Sequence, residues 1–411
     1  MARLPIEFQT GFIENVAILR KKAERAKQPG PQKYLYQKKY RFFAQVSDSL
    51  KDAAIQEIRQ AGAADISPSF RGIYFTASKD VLYRINYTSR LVSRVLAPLA
   101  TFECFNTDAL YKQAREIDWA GLFDPDYTFA VFANVVKSRI NHSKFAALRV
   151  KDGIVDHFLE HAGKRPNVAP VDPDIDINLH IAKNVVTLSM DICGGALHRR
   201  GYREESVPAP IQETAAAGIL MMTGWTGKTP LYDPMCGSGT LLCEALMRYC
   251  RIPAGVFRKR FGFELMPDFD PEIWKQVKAE SDAGIRELPH GLIGGGDISE
   301  KAVRSARANL MGIHHGSRVD IRCADFRDLP ELSGKVIVTN PPYGIRLGGG
   351  MDMDGFYRGL GEFLRTRCKG STAYIYFGDP QYIARISLKP AWKKPLKSGG
   401  LDGRLVKYQI R

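Results

Sequence analysis

The chain has no apolar run of membrane length, no paired cysteines and a shortage of acids, and each lack removes a class of protein. Its longest uncharged apolar stretch, residues 215–222, is far short of the roughly 20 residues that span a bilayer, so no membrane segment is expected. The amino-terminal Met1-Ala-Arg-Leu-Pro has no apolar core behind it, which argues against a secretory signal and for the cytoplasm. Seven cysteines, Cys104, Cys193, Cys236, Cys243, Cys250, Cys323 and Cys368, are odd in number and form no CxxC pair, so a disulfide framework is not expected. Cys236, Cys243 and Cys250 recur every seven residues, as buried thiols on one face of a helix would, and the histidines that would make them metal ligands are missing. His157 and His161 share a helical face, yet no HExxH pattern or third ligand accompanies them, so no metal is expected.

The acids number 44 against 59 lysines and arginines, a net charge of +15 that favours a polyanionic partner. Hydrophobic content of 45% and charged content of 25% are globular averages, which excludes a disordered or fibrous chain. At 411 residues, two or three domains are expected.

Residues 1–40 form a basic arm broken at Pro29-Gly30-Pro31, with Tyr34, Tyr36 and Tyr40 set among lysines. Two roles fit it: a grip on a phosphate backbone with aromatics stacked on bases, or a solvated helix packed on the next domain. From about 41 to 165 the pattern is mixed α and β, with strands at 40–46, 72–77 and 127–136 and helices at 48–62, 79–91 and 143–161. Gly163-Lys-Arg-Pro-Asn, with Pro170 and Pro173 beyond it, reads as a boundary, and residues 166–411 as a second domain. There, strands at 229–232, 291–295, 318–322, 335–339 and 373–377 alternate with helices at 239–249, 300–311 and 356–366. That alternation marks a parallel α/β sheet.

Asp233-Pro-Met-Cys-Gly-Ser-Gly-Thr240 lies between a strand and a helix, where glycines let a ligand approach the backbone and the helix N-terminus carries partial positive charge. No lysine follows the second glycine, so this is not a phosphate loop. Leu242 stands where a dinucleotide fingerprint would have its third glycine. What remains is the looser glycine turn of S-adenosylmethionine methyltransferases, with Cys236, Gly237, Ser238 and Gly239 against the cofactor. Asp297, with Ile298 beside it, follows the next apolar strand and suits the ribose hydroxyls, although it also stands in the N-cap region of a helix. Asp325, with Phe326 beside it, ends the following strand and suits the adenine amine. The 58 residues between Gly239 and Asp297 are far more than such folds need, so an insertion with Arg258-Lys-Arg260 and Trp274 fills the gap.

Val336-Ile-Val-Thr-Asn-Pro-Pro-Tyr343 carries the most chemistry. Two consecutive prolines after a buried strand fix the backbone and remove two donors, freeing carbonyls to point into a pocket. An exocyclic amine on a base is a weak nucleophile until acceptors on its hydrogens localise the lone pair. Asn340 and a carbonyl of the Pro341-Pro342 turn can do so while Tyr343 stacks on the base, with no metal or strong base required.

These motifs, together with Leu197-His-Arg-Arg-Gly-Tyr-Arg203, Ala209-Pro-Ile-Gln-Glu-Thr214, Ala147-Leu-Arg-Val-Lys-Asp-Gly-Ile-Val-Asp156, Arg165-Pro-Asn-Val168 and Asn340-Pro-Pro-Tyr-Gly-Ile-Arg-Leu347, resemble the bacterial THUMP-domain RNA guanine-N2 methyltransferases. Within that family they are similar to the N2-methylating half of the large-subunit ribosomal RNA enzymes. The resemblance implies an α+β ferredoxin-like and THUMP module at 41–165 that holds RNA, then a Rossmann-like class I methyltransferase domain that flips a guanosine into its pocket. It implies that Asn340, Pro341 and Tyr343 orient the guanine amine, that Asp233, Gly237, Gly239, Asp297 and Asp325 hold S-adenosylmethionine, and that residues 199–214 lie over the cofactor. In such relatives a second, N7-methylating domain follows; none follows Arg411 here, so that activity is expected to be absent or supplied by another protein. The RNA is expected to be large-subunit ribosomal RNA, with tRNA as the alternative substrate and a non-catalytic ribosome-assembly factor as the alternative class. DNA adenine and protein glutamine methylation use similar pockets and are disfavoured by the THUMP resemblance and the basic charge.

Overall fold

Runs such as Val336–Thr339, three apolar β-branched residues and a buried threonine, leave neither face of the strand to water. In the computed structural model of the protein, which describes residues 34–204, 210–343, 352–398 and 400–411, such runs form the parallel core of a sheet. Of the segments singled out above, residues 1–33 of the basic arm, 205–209 and 344–347 lie outside the described residues. The chain divides into two units, one of residues 1–43, 96–195 and 260–271 and the other of 44–95, 196–259 and 272–411.

In the second unit the strands are β1 (Leu231–Asp233), β2 (Ile293–Asp297), β3 (Asp320–Cys323), β4 (Val336–Thr339), β5 (Thr372–Phe377), β6 (Pro390–Ser398) and β7 (Leu401–Gln409). They lie in the order β3-β2-β1-β4-β5-β7-β6, all parallel through β5, with the β6–β7 hairpin added antiparallel at one edge. Its helices are α1 (Glu213–Thr223), α2 (Thr240–Tyr249), α3 (Pro271–Ala283), α4 (Glu300–Met311) and α5 (Met353–Arg367). Alternation along β5 assigns its faces. Ala373, Ile375 and Phe377 join Tyr357, Leu360 and Leu364 of α5 in one cluster, while the Tyr374 hydroxyl donates to the Thr223 carbonyl at the end of α1, 2.9 Å away.

The strand β2 reads Ile-Gly-Gly-Gly-Asp for a packing reason. A Cβ on Gly295 would stand 2.6 Å from Leu242 of α2, and one on Gly294 3.2 Å from the Tyr232 ring. Glycine therefore lets α2 lie directly on the strand. The same unit holds a hairpin, Ala64–Ser69 with Gly72–Thr76, and the helices Lys51–Gln60 and Lys79–Thr88. The insertion before β2 braces this part. Trp274 of α3 meets Tyr83 and Tyr87 edge-on, with ring centroids 6.3 and 5.2 Å away, and the Tyr87 hydroxyl donates to Asp282 at 2.6 Å.

In the first unit the strand Arg94–Glu103 pairs with Val185–Asp191, which pairs with Ile175–Ala182, itself parallel to Phe129–Val136. The helices Thr107–Arg115 and Ser143–Ala162 cross closely at Gly153, where a Cβ would stand 3.0 Å from the Tyr111 carbonyl. After the left-handed cap at Gly163 the chain returns to the same sheet through Ile175–Ala182.

The strands and helices read from periodicity are present, with ends displaced by a turn or less. Two readings become definite at the level of side chains, the arm's tyrosines and the cysteine spacing. Tyr34 and Tyr36 are buried in the first unit rather than offered to bases: the Tyr34 hydroxyl donates to the Asp118 carbonyl at 2.6 Å and the Tyr36 hydroxyl to Asp268 at 2.9 Å. Only Tyr40 of the three is exposed. Cys236 lies in the turn ahead of α2 and Cys250 just past its end, so the seven-residue spacing does not lie along one helix, although all three thiols are buried. Cys323 is the exposed one. His157 and His161 stack on each other with centroids 4.2 Å apart, His157 bonding to the Arg115 carbonyl at 2.9 Å, and burial pulls the His157 pKa down. Among the described residues no group of His, Cys, Asp and Glu is placed to hold a metal, and no helix is long and apolar enough to cross a membrane.

A structural role for the tyrosines has a direct consequence. Tyr36→Ala should lower the unfolding free energy of the first unit by about 3–5 kcal/mol, the range for emptying a buried aromatic site, whereas Tyr40→Ala should cost less than about 1. Urea titration followed by circular dichroism checks this, and equal effects would contradict it.

Candidate functional site

The sheet order reverses at β1, with β2 and β3 on one side and β4 and β5 on the other, so a crevice forms beyond the carboxyl ends of β1 and β4. The three acids expected from the sequence line this edge. Asp233 ends β1, Asp297 ends β2, and Asp325 follows β3 by two residues; Asp233 pairs across with Gly295, and Asp297 with Cys323.

The glycine turn is held from both sides. Asp297 Oδ2 accepts from the Gly237 amide at 2.9 Å while its Oδ1 accepts from the Ser299 amide at 2.9 Å, so this carboxylate braces both the turn and the start of α4. Gly237 and Gly239 have φ of +54° and +79°, which glycine alone adopts without strain. On the other side Arg203 donates to Glu213 at 2.8 and 3.1 Å, to Ser238 Oγ at 3.2 Å and to Thr240 Oγ1 at 3.0 Å. Asn309 of α4 adds a bond to the Ser238 carbonyl at 2.9 Å. Ser238 is thus buried against Arg203, and Cys236 is buried with its thiol pushed up by burial. The sequence motif contains Arg203 and Glu213, but only the fold reveals the clamp.

Asp233 is buried, its Oδ1 accepting from the Met235 amide at 3.1 Å. Burial pushes its carboxyl up to about 7, and the neighbouring Asp297 charge adds to the rise. Asp325 accepts from the Arg327 amide and side chain, both at 2.9 Å, and that guanidinium holds its carboxyl below the usual range. Phe326 is only 7% exposed, edge-on to Phe356 and Phe363, so it supports the site from the core. The large apolar side chain left open here is Ile298, 67% exposed directly after Asp297. A carboxylate with lone pairs to spare beside an uncovered aliphatic surface, and no lysine on the turn, suits a nucleoside that brings no phosphate.

Across the crevice, Asn340 lies just past β4, which pairs with β1 through Val336–Leu231 and Ile337–Tyr232. The Tyr343 hydroxyl donates to Asn340 Oδ1. Pro341 is buried, and the Pro342 carbonyl accepts from the Tyr357 hydroxyl at 3.1 Å. The Tyr343 ring lies edge-on to Tyr376, with centroids 6.1 Å apart, and against Gly378, where a Cβ would stand 2.7 Å from the ring. Gly378 therefore seats Tyr343, a role with no signal in the sequence.

Comparison with known proteins covers the chain in three parts. Residues 41–96 match the RlmL ferredoxin-like domain, 104–191 the THUMP domain, and 200–407 the RMKL-like methyltransferase domain. A curated protein of Synechocystis sp., named as an RNA methyltransferase, is 38% identical over 370 residues, which cover 90% of this chain and 96% of that one. Ribosomal RNA large subunit methyltransferase K/L of Syntrophotalea carbinolica is 38% identical over 384 residues, 90% of this chain and 53% of that protein. The chain thus spans about half the length of the curated relatives of that name. Among solved structures, SMU.472, described as a methyltransferase complexed with SAH, superposes with a TM-score of 0.80 at 25% identity, covering 90% of this chain and 98% of that one.

Two outcomes follow from this geometry. A native-state Asp233 that keeps its proton up to about pH 7, against 3.8 when unfolded, contributes stability that is complete below pH 3.8 and is lost as pH rises through 7. Relative to wild type, Asp233→Asn should therefore gain stability steadily between pH 4 and 7, as read by urea unfolding at several pH values; a constant difference would refute it. Gly378→Ala should push the Tyr343 ring aside and cut kcat/KM on the order of 10-fold or more with the fold intact, the scale of a sub-ångström misplacement. Steady-state methylation kinetics check this.

Proposed function

We propose, from the premise that this chain belongs to the family of RMKL-like methyltransferases and carries their ferredoxin-like and THUMP domains, that it methylates the N2 amine of a guanosine in large-subunit ribosomal RNA. It is an RNA methyltransferase of that family, and S-adenosylmethionine is its cofactor. The observation that carries the finer reading is the Asn340-Pro-Pro-Tyr343 turn standing across the β1–β4 crevice from the glycine turn.

In this reading Asp297 takes the ribose hydroxyls, Ile298 covers the adenine, Asp325 accepts from its amine, and Gly237 to Gly239 bring backbone close. Bound there, S-adenosylmethionine supplies a methyl group on a positively charged sulfur. The protein's part is to aim the amine. Asn340 Oδ1 accepts one amine hydrogen, and because the Pro342 carbonyl is held by Tyr357, the second falls to the carbonyl of Asn340 or Pro341. Tyr343, whose hydroxyl donates to Asn340 Oδ1, gives up that bond and stacks on the guanine. The amine loses a proton to solvent as the methyl arrives, so no buried base is needed. The THUMP and ferredoxin-like parts hold the surrounding RNA while the nucleotide is flipped out.

Labelled S-adenosylmethionine incubated with undermethylated large-subunit ribosomal RNA and, separately, bulk tRNA tests the assignment by nucleoside analysis. N2-methylguanosine in the ribosomal RNA is the expected product; label only in tRNA would move the substrate, and a different methylated nucleoside would overturn the amine assignment. Asn340→Ala should lower kcat on the order of 10²–10³-fold, as loss of one preorganised polar contact does, with RNA affinity little changed. An unchanged kcat would remove Asn340 from the chemistry.

A further inference from the structure

Residues 380–411 carry eight basic side chains against a single acid, Asp402, almost half of the net charge of the chain in its last 32 residues. Most of them stand on β6 and β7. Between this hairpin and the short turn Pro380–Ile386 a cavity of about 430 Å3 opens, lined by Lys393, Arg404 and Gln381 over the apolar Ile383, Leu388 and Pro395. Lys393 is exposed and pairs with no acid among the described residues. Arg404 is steadied by Asp402 at 3.0 Å and by the Gly403 carbonyl at 2.9 Å, which fixes the guanidinium while leaving donors over.

This groove continues the proposed base pocket. Arg404 pairs across β5 with Phe377, and the next residue, Gly378, is the one that seats Tyr343. Pro380 on the groove wall is two residues further, at most about 7 Å of extended chain. Tyr376, edge-on to Tyr343, donates to the Leu396 carbonyl of β6 at 3.2 Å, so hairpin and pocket share one framework. A competing account is that lysines and prolines on an edge strand prevent pairing with other chains. It covers Lys393 and Pro395 of β6, but not Arg404, which sits on the inner strand β7, nor the cavity beside it.

We propose that the groove holds the phosphate backbone of the RNA strand flanking the nucleotide bound at Asn340 and Tyr343, with Lys393 and Arg404 each neutralising one phosphate. The inference rests on the RNA-methylating reading above, and its test separates the two. The full chain, its Lys393→Gln variant and its Lys393→Gln/Arg404→Gln variant are titrated with a fluorescent single-stranded RNA at several salt concentrations, and the same proteins are assayed on ribosomal RNA. Lys369→Gln, exposed at the opposite end of β5, is the control. Each single-strand phosphate contact contributes about 0.7 to the slope of log affinity against log salt. The slope should therefore fall by about 0.7 in the single variant and about 1.4 in the double, with KM for RNA raised about tenfold, kcat unchanged, and the control like wild type. An unchanged slope in both variants overturns the groove even if the protein methylates RNA. A reduced slope upholds it even if no RNA is methylated, in which case the functional reading alone falls.

Discussion

A carboxylate with no exposure at all must be paired, and Glu244, in the middle of α2, organises the second unit around that demand. Arg200 donates to it at 3.2 Å and Tyr202 at 3.3 Å, while Arg90 stands 3.9 Å away. Each arginine is also tied to carbonyls: Arg200 to those of Leu197 and Arg90, and Arg90 to those of Met247 and Ile252. The two respond differently to the same acid. Burial works against both charges, but at Arg200 the attraction of the Glu244 carboxylate, with Tyr202 and the hydrogen bond to Glu244 adding to it, more than offsets burial and the pKa rises, whereas at Arg90 the more distant Glu244 does not and the pKa falls. Removing one partner of such a cluster typically costs 3–5 kcal/mol, because the survivor is left buried and unpaired. The cluster therefore fixes three pieces of chain against one another: residues 44–95, the segment before α1, and α2 itself.

That fixation reaches the site through the first turn of α2. The segment anchored by Arg200 continues to Arg203, which grips Ser238, Thr240 and Glu213, while Asp297 and Asn309 hold the same turn from β2 and α4. The turn that the proposed function sets against the cofactor is thus held by side chains on both sides, an arrangement that saves the cost of ordering it on binding. The acids divide their work by environment. Burial keeps Asp233 protonated to about pH 7, whereas Asp297 is partly open to solvent, which in the proposed reading suits it to ligand hydroxyls.

Local pattern made much of the sheet legible, since most strands from β1 to β5 are short apolar or glycine-rich runs followed by turn residues, and the helices keep a 3.6-residue period; β3, Asp-Ile-Arg-Cys, is the polar exception. Two of the strands that escaped notice did so for different reasons. Arg94–Glu103 pairs with Val185–Asp191 across some eighty residues, and Ala64–Ser69 carries a proline and few apolar side chains. Trp274 reads as an insertion residue of unknown role until Tyr83 and Tyr87 are seen around it. At the site, the glycine turn, the acids and the Asn-Pro-Pro-Tyr turn are visible because each is contiguous in sequence and begins where a strand ends. Gly378 and Asn309 are not, because their meaning is the identity of the atom they touch. Tyr34 and Tyr36 leave two roles open for the converse reason: tyrosines among lysines look the same in sequence whether their hydroxyls meet water or Asp118 and Asp268.

In the proposed reading the turn after β4 also constrains which atom of a base could react there. Two prolines remove two donors, Tyr357 occupies the Pro342 carbonyl, and the Asn340 amide oxygen is covered by a hydroxyl that can rotate away. In the same reading the Asn340 amide oxygen and a carbonyl of the turn face the substrate, a pair that matches the two hydrogens of an exocyclic amine better than the single hydrogen of a ring nitrogen. Tyr357 cannot serve as a base, because burial, with Tyr343 and Tyr382 adding to it, drives its phenol pKa far up. In that reading the turn activates by orientation and by localising charge, not by removing the proton first. In the proposed reaction selectivity for the amine thus comes from counting hydrogens, while the choice of nucleotide is left to whatever holds the RNA outside the pocket.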